Sequence, residues 1–194
     1  MTLHIIYLAA GNSRRFGSNK LLYPWKGKPM YRWGLEALAA ACDGHPDWRI
    51  IAVSQYQELL EDAVKNVPSV VPVFSRQSRE GISYSIRAGL SAGEAAYYGF
   101  LAADQPEIGA ELLEQFFSEM IQGRHSLGCV SCRGEDGNPT CFSAEFRTQL
   151  EQLTGDCGGK RVMKRYPERI WRLETDRQEQ LEDIDVPPQS GRHA

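Results

Sequence analysis

Three stretches of this 194-residue chain hold residues whose type and spacing suit chemistry on phosphates. The first is Leu8-Ala9-Ala10-Gly11-Asn12-Ser13-Arg14-Arg15-Phe16-Gly17-Ser18-Asn19-Lys20. Small residues let the backbone come close to a ligand, and glycines permit turns at positive φ. A loop of this kind turns backbone N–H groups toward phosphate oxygens, and Arg14, Arg15 and Lys20 add positive charge. It is not a Walker loop, because Lys20 does not directly follow Gly17, and it is not GxGxxG. On glycine content alone it reads equally as a solvated basic loop between a strand and a helix. The second stretch is acidic. Asp104 closes an apolar run, and Asp183 and Asp185 share one face if that segment is extended. Asp104 also suits the cap of a following helix, and Asp183 and Asp185 suit a polar surface. The third is basic: Lys160, Arg161 and Lys164 lie on a short helical segment that is either an anion seat or a solvated face.

The elements that must position these residues alternate between strand and helix. Leu3–Ala9, Trp48–Val53 and Tyr97–Ala103 are short, nearly continuous apolar runs, the pattern of strands covered on both faces. Ser69–Phe74, Ser126–Cys132, Thr140–Phe142 and Arg169–Leu173 complete the expected strands. Helices are expected from Lys28-Pro29 through Ala41, with Pro29 in the first turn, and over Gln55–Val64, Ser83–Ala96, Ile108–Ile121, Ala144–Leu153 and Gly159–Tyr166. This alternation predicts an α/β domain, a doubly wound, mostly parallel sheet with helices on both faces. In such sheets ligands bind at the carboxyl ends of strands near a topological switch point. The loops after Ala10 and Ala103 both leave such ends. One domain is expected over residues 1–188, with 189–194 a loose tail.

Composition narrows the class. Hydrophobic residues make up 42% and charged residues 24%, which fits a globular chain and not a disordered one. The formal charge of −3 argues against broad nucleic-acid binding. No apolar run approaches the roughly 18 residues of a membrane span, and the N-terminus does not read as a signal peptide. Five cysteines, an odd number outside any disulfide-rich frame, point to a reduced, cytoplasmic protein. The CxxC of Cys129 and Cys132 lacks the second close pair that a zinc site wants, so buried structural thiols are expected. Cys157 is the thiol to test for contact with a ligand.

The order of these motifs resembles the nucleotidyltransferases of the molybdenum-cofactor type, whose opening signature is Leu-Ala-Ala-Gly-x-Ser-x-Arg-x-Gly-x-x-Lys. Leu8, Ala9, Ala10, Gly11, Ser13, Arg15, Gly17 and Lys20 stand in register with it. Gly81-Ile82-Ser83-Tyr84-Ser85 through Gly89 is similar to the family's Gly-Leu-Ser-x-Ser-x-x-x-Gly segment. Ala102-Ala103-Asp104-Gln105-Pro106 resembles its Gly-Asp-x-Pro turn. Gly137-Asn138-Pro139 stands where many members carry Gly-His-Pro. Thr154 to Arg161 resembles Gly-Asp-x-Gly-x-Arg, and Asp183-Ile184-Asp185-Val186-Pro187 resembles Asp-Ile-Asp-Thr-Pro. The likeness spans about residues 3–188. It is greatest to the cytidylyltransferase branch, because guanylyl members open with Leu-Ala-Gly-Gly. Asn138 in place of histidine, and the missing Glu-Asp after the final proline, depart from the pattern.

The resemblance implies a Rossmann-like fold of the nucleotide-diphospho-sugar transferase kind. It implies transfer of CMP from CTP to the terminal phosphate of molybdopterin, with pyrophosphate released and a molybdenum hydroxylase as recipient of the product. Mg²⁺ would be held by Asp104 with Asp185 or Asp183. Lys20 would face the α-phosphate and Arg15 the outer phosphates. Leu8, Ala9, Ala10, Gly11, Ser13, Gly17, Gly81 and Ser85 would bind the nucleotide. Asn138, Asp156, Gly158 and Arg161 would bind the acceptor. The methyl of Ala10 is expected to narrow the cleft floor against a purine, with backbone groups of Leu8 to Ala10 pairing to cytosine. An acceptor such as a sugar or polyol phosphate, and a non-catalytic carrier of the cofactor, are the competing readings.

Overall fold

The computed structural model describes residues 1–12 and 19–184. The strands are β1 (Leu3–Leu8), β2 (Pro24–Trp25), β3 (Lys28–Pro29), β4 (Trp48–Ser54), β5 (Val71–Phe74), β6 (Tyr97–Ala102), β7 (Leu127–Cys132), β8 (Glu135–Ser143) and β9 (Ile170–Glu174). The helices are α1 (Met30–Ala41), α2 (Gln57–Asn66), α3 (Ile82–Leu90), α4 (Ala110–Gln122), α5 (Arg147–Glu151) and α6 (Lys160–Met163). Seven strands form one sheet in the order β5-β4-β1-β6-β8-β7-β9, and β2 and β3 form a separate hairpin. β5, β4, β1 and β6 run parallel, as do β7 and β9, while β8 is antiparallel to both its neighbours. The expected doubly wound, mostly parallel sheet is present.

The apolar runs are continuous because both faces of the sheet are covered. Leu3, Ile5 and Tyr7 of β1 pack with Tyr31, Leu35 and Leu38 of α1, Leu59 of α2 and Phe116 and Phe117 of α4. Ile6 turns the other way, toward Ile86 and Leu90 of α3, Leu150 of α5 and Val162 and Met163 of α6. Each such buried Leu or Ile contributes about 1.5–3 kcal/mol. The chain runs outward from β1 to β4 and β5, then crosses back to place β6 on the other side of β1. The strand order therefore reverses between β1 and β6, whose ends pair Leu8 with Ala102.

Several expected boundaries move, each for a local reason. The first helix begins at Met30 and not at Lys28, because Lys26 (φ 45°) and Gly27 (φ 91°) make a two-residue turn that pairs Trp25 with Lys28. The helix expected to reach Ala96 stops at Leu90, where the Arg147 guanidinium donates to the carbonyls of Leu90 (3.0 Å) and Gly93 (2.9 Å). The strand expected at Thr140–Phe142 starts at Glu135, because Arg133 and Gly134, both at positive φ, form a hairpin turn out of β7. The helix expected over Gly159–Tyr166 is one turn, Lys160–Met163, with Tyr166 restricted by Pro167 behind it. The proposed boundary near residue 188 and the expected tail lie outside the described residues.

Candidate active site

The switch point carries a cleft of about 200 Å³. Leu8, Ala10, Gly11 and Asn12 line it from the end of β1, and Ala102 and Asp104 from the end of β6. Lys20 and Leu21 come from the 3-10 turn that follows the loop, Gly81, Ile82 and Ser85 from the start of α3, and Asp156 from the segment before α6. At its floor the Lys20 Nζ lies 2.7 Å from Asp104 Oδ2. The two side chains are 10% and 22% exposed. The ammonium also donates to the Ile184 carbonyl at 3.3 Å. Asn19 fixes the approach of Lys20, its Oδ1 accepting from Leu21 N–H at 3.1 Å, while Leu21 itself is buried in the core.

The turn carrying Asp104 is held from two directions. The Ile184 N–H donates to the Asp104 carbonyl (2.9 Å), and Gln105 Nε2 donates to the Leu181 carbonyl (2.8 Å), so the C-terminal segment is laid against it. On the opposite side Glu107 Oε1 accepts from the Trp25 indole N–H (2.8 Å) and from Lys26 Nζ (2.6 Å). Beneath the turn, burial and then the nearby Asp104 charge raise the Tyr7 phenol well above its ordinary range. Tyr7 thus stays neutral, and it donates to the Tyr31 carbonyl at 2.5 Å.

Close approach of two glycine segments closes the cleft wall. Gly81 has φ 144°, and a Cβ there would lie 2.4 Å from the Gly155 carbonyl carbon and 2.9 Å from Asp156 N. The Ser83 N–H donates to the Gly155 carbonyl at 3.2 Å. This contact swings Asp156 into the same cleft as Gly81 and Ser85.

A second cavity of about 400 Å³ lies past the Asp104 turn. Gln105, Cys132, Asp136, Gly137, Asn138, Lys160, Leu181 and Asp183 contribute to its walls. Gln105 is 2% exposed, and its Oε1 has no hydrogen-bond partner among the described residues. Lys160 Nζ donates to the Asp136 carbonyl at 2.8 Å. Arg172 holds the Asp136 carboxyl below the usual carboxylate range.

The sequence-derived set therefore divides. Lys20, Asp104, Leu8, Ala10, Gly11, Gly81 and Ser85 meet in the first cleft, joined by Asp156, which was expected with the acceptor group. Asn138 and Asp183 line the second cavity. Ala9 is buried. Gly158 packs beside Ile82, and Arg161 donates to Cys157 Sγ at 3.2 Å; neither residue lines either cavity. Ser13, Arg15, Gly17 and Asp185 lie outside the described residues. The described residues hold no group of three or more His, Cys, Asp or Glu side chains arranged around a metal. Cys129, Cys132 and Cys141 are buried free thiols, and burial, with Asp136 beside it, pushes the Cys129 thiol up to about 12.

The roles of Ser54, the last residue of β4, and of Gln55 and Tyr56 behind it escaped the sequence reading. Ser54 Oγ donates to the Ala9 carbonyl (2.7 Å), Gln55 Nε2 to the Ala10 carbonyl (2.7 Å) and Tyr56 OH to the Gly11 carbonyl (3.1 Å). The Ala9 N–H donates to Val53, and the Leu8 carbonyl accepts from Ala103. Most backbone groups expected to pair with a base thus already have protein partners. Ser78 was missed as well. It lines the cleft, and its hydroxyl has no partner among the described residues.

Residues 5–170 match the model of the MobA-like NTP transferase domain. The chain belongs to this family. It is 27% identical to the purine catabolism protein PucB of Bacillus subtilis, over 94% of this chain and 91% of PucB. A shorter stretch of 36 residues, 19% of this chain and 18% of the other, is 53% identical to the "Probable molybdenum cofactor guanylyltransferase" of Bacillus licheniformis. Among solved structures, Rv0371c of Mycobacterium tuberculosis superposes with a TM-score of 0.78 at 21% identity, covering 96% of this chain and 94% of that one. A manganese complex of Rv0371c superposes at 0.67 and 17% identity, covering 90% of this chain and 88% of that one. No helix among the described residues is long and apolar enough to cross a membrane.

Proposed function

We propose that this nucleotidyltransferase moves CMP from CTP to the terminal phosphate of molybdopterin and releases pyrophosphate. The observation that carries the reading is the Lys20–Asp104 pair at the floor of the switch-point cleft, with a second, polar cavity on the far side of the same turn. In-line transfer between phosphates needs positioning and neutralised charge more than a covalent residue. The two cavities seat a donor and an acceptor whose phosphates meet at Asp104.

Lys20 is placed to turn its ammonium from Asp104 to the α-phosphate as negative charge grows there. Ser78, Gly81 and Ser85 face the nucleoside, and Gln105, Asn138 and Lys160 face the acceptor. Asp104 and Asp156 set two carboxylates against the one ammonium of Lys20 in the described lining, a hard-oxygen set that fits Mg²⁺. When bound, Mg²⁺ would supply charge neutralisation to the triphosphate. Asp104 is its expected ligand; Asp183, on the second cavity, is the weaker candidate, and Asp185 completes the proposed set. The manganese complex of Rv0371c supports a divalent cation in this fold. Five free thiols fit action in the reducing cytoplasm.

The guanylyl reading is favoured by one observation, the short match to the Bacillus licheniformis protein. The deciding experiment supplies purified molybdopterin, Mg²⁺ and either CTP or GTP, and measures pyrophosphate and the dinucleotide product. A CTP specificity constant at least ~10-fold above that for GTP, which needs only about 1.4 kcal/mol, is expected. Equal constants remove the cytidylyl assignment, and transfer only to sugar or polyol phosphates removes the acceptor.

A further inference from the structure

The hairpin of β2 and β3 meets the turn that carries Asp104 at Glu107. This residue follows Asp104 by three positions in the same turn, and the hairpin follows Lys20 within a few residues on the other segment. The Trp25 indole N–H lies 2.8 Å from Glu107 Oε1. Behind it, the Trp25 carbonyl accepts from the Trp33 indole of α1 at 2.8 Å, the Met30 N–H donates to the Tyr23 carbonyl at 2.9 Å, and the Lys28 ammonium sits 3.7 Å over the Trp33 ring. The hairpin is thus braced on α1 and reaches out to one carboxylate.

Lys26 adds an ion pair to Glu107, but its side chain is 59% exposed, so that pair contributes little. The indole bond is part-buried and directional. Burial alone would push the Glu107 carboxyl up, yet Lys26 and Trp25 outweigh it and hold it below the usual carboxylate range. The carboxylate is therefore available as an acceptor throughout the neutral range.

We propose that Glu107 is a positioning residue, whose bond to the Trp25 indole fixes the segment carrying Lys20 against the turn carrying Asp104. The inference rests on the transferase reading for its effect on rate, but the geometry it invokes is measurable without turnover. Neither Glu107 nor Trp25 lines either cavity, so each acts through the Lys20–Asp104 spacing and not by touching substrate. A misplacement on the order of 1 Å suffices to slow a positioned reaction by up to about 10²-fold.

The test compares Glu107→Ala, Glu107→Gln and Trp25→Phe with the unaltered protein. Each is labelled briefly with an amine-acetylating reagent well below its melting temperature, and modification is read lysine by lysine by mass spectrometry. Exposed Lys65 and Lys164 serve as internal standards for reagent dose, and each variant's melting temperature reports global change. Glu107→Ala and Trp25→Phe should each speed labelling of the buried Lys20 by about 5-fold or more, as local opening does, with Lys65 and Lys164 unchanged. Glu107→Gln still accepts from the indole and should stay within about 2-fold of the unaltered protein. In the transfer assay, Glu107→Ala should lower kcat by about 10-fold with little change in nucleotide KM. Unchanged Lys20 labelling in Glu107→Ala or Trp25→Phe overturns the proposal, as does Glu107→Gln behaving like Glu107→Ala. If the unaltered protein transfers no nucleotide, the functional reading fails while Lys20 labelling still decides the role of Glu107.

Discussion

Gly81→Ala tests whether the cleft wall depends on the approach of two glycine segments. An alanine at φ 144° meets backbone strain of about 1–3 kcal/mol. Its methyl would stand 2.4 Å from the carbon and oxygen of the Gly155 carbonyl, both backbone atoms with no rotamer to yield. The Gly155–Asp156 segment must therefore retreat, and the Ser83 N–H to Gly155 bond, at 3.2 Å, is lost with it. That removes a further ~0.5–1.5 kcal/mol. The sum, about 1.5–4.5 kcal/mol, corresponds to a fall in melting temperature of roughly 3–18 °C for a domain of this size. Gly158→Ala is the matched control. Its methyl meets Ile82 at 3.5 Å, an ordinary contact, and the change should be neutral or slightly stabilising. Thermal unfolding followed by circular dichroism reads both variants, and calorimetric titration with the nucleotide reads the consequence for the cleft. A Gly81→Ala protein that melts within about 1 °C of the unaltered one would refute the steric reasoning.

The remaining tests address the transfer itself. Asp104→Ala should lower turnover at least ~10²-fold, the scale of one key electrostatic group, and near-normal turnover at saturating Mg²⁺ would take Asp104 out of the site. Lys20→Ala should reduce kcat more than it raises the KM for nucleotide, because charge at the α-phosphorus grows in the transition state; a pure KM effect would make Lys20 a binding residue only. Ala10→Gly should narrow the preference for CTP over GTP while leaving CTP transfer largely intact, as steady-state comparison of the two nucleotides would show.

How much of this was legible in sequence depends on whether a feature is periodic or a single long-range contact. Leu3–Leu8 and Tyr97–Ala102 declared themselves because strands covered on both faces need unbroken apolar runs, and their ends located the switch point. Lys20 and Asp104 were legible because each sits just past a glycine-bearing loop or a strand end. Ser54, Gln55 and Tyr56 were not, since polar residues at the junction of a strand and a helix carry no sign of which loop carbonyls they face. Asp156 was expected with the acceptor group, but the Gly81–Gly155 approach, across more than 70 residues of sequence, carries it to the wall of the first cleft, beside Gly81 and Ser85. Helices α3 and α6 were overestimated because apolar spacing alone does not reveal where Arg147 or Pro167 ends a segment.

The division of the two cavities bears on how a transfer would be organised. Asp104 lines the first cavity and Gln105, the next residue, lines the second. Adjacent residues of one turn thus line different cavities, so a single turn serves both. The backbone of that turn is fixed on both flanks, by Trp25 through Glu107 and by Leu181 and Ile184 through Gln105 and the Asp104 carbonyl. Neither cavity wall can shift without dragging the other. A donor and an acceptor bound on opposite sides would then be registered against one rigid element, which is what a reaction relying on alignment and not on a covalent intermediate requires. The same logic makes Gln105 informative about the acceptor. Its Oε1 is buried and lacks a partner among the described residues, and an unmet acceptor of this kind favours an occupant that presents an N–H or O–H at that wall over one that presents only oxygen acceptors.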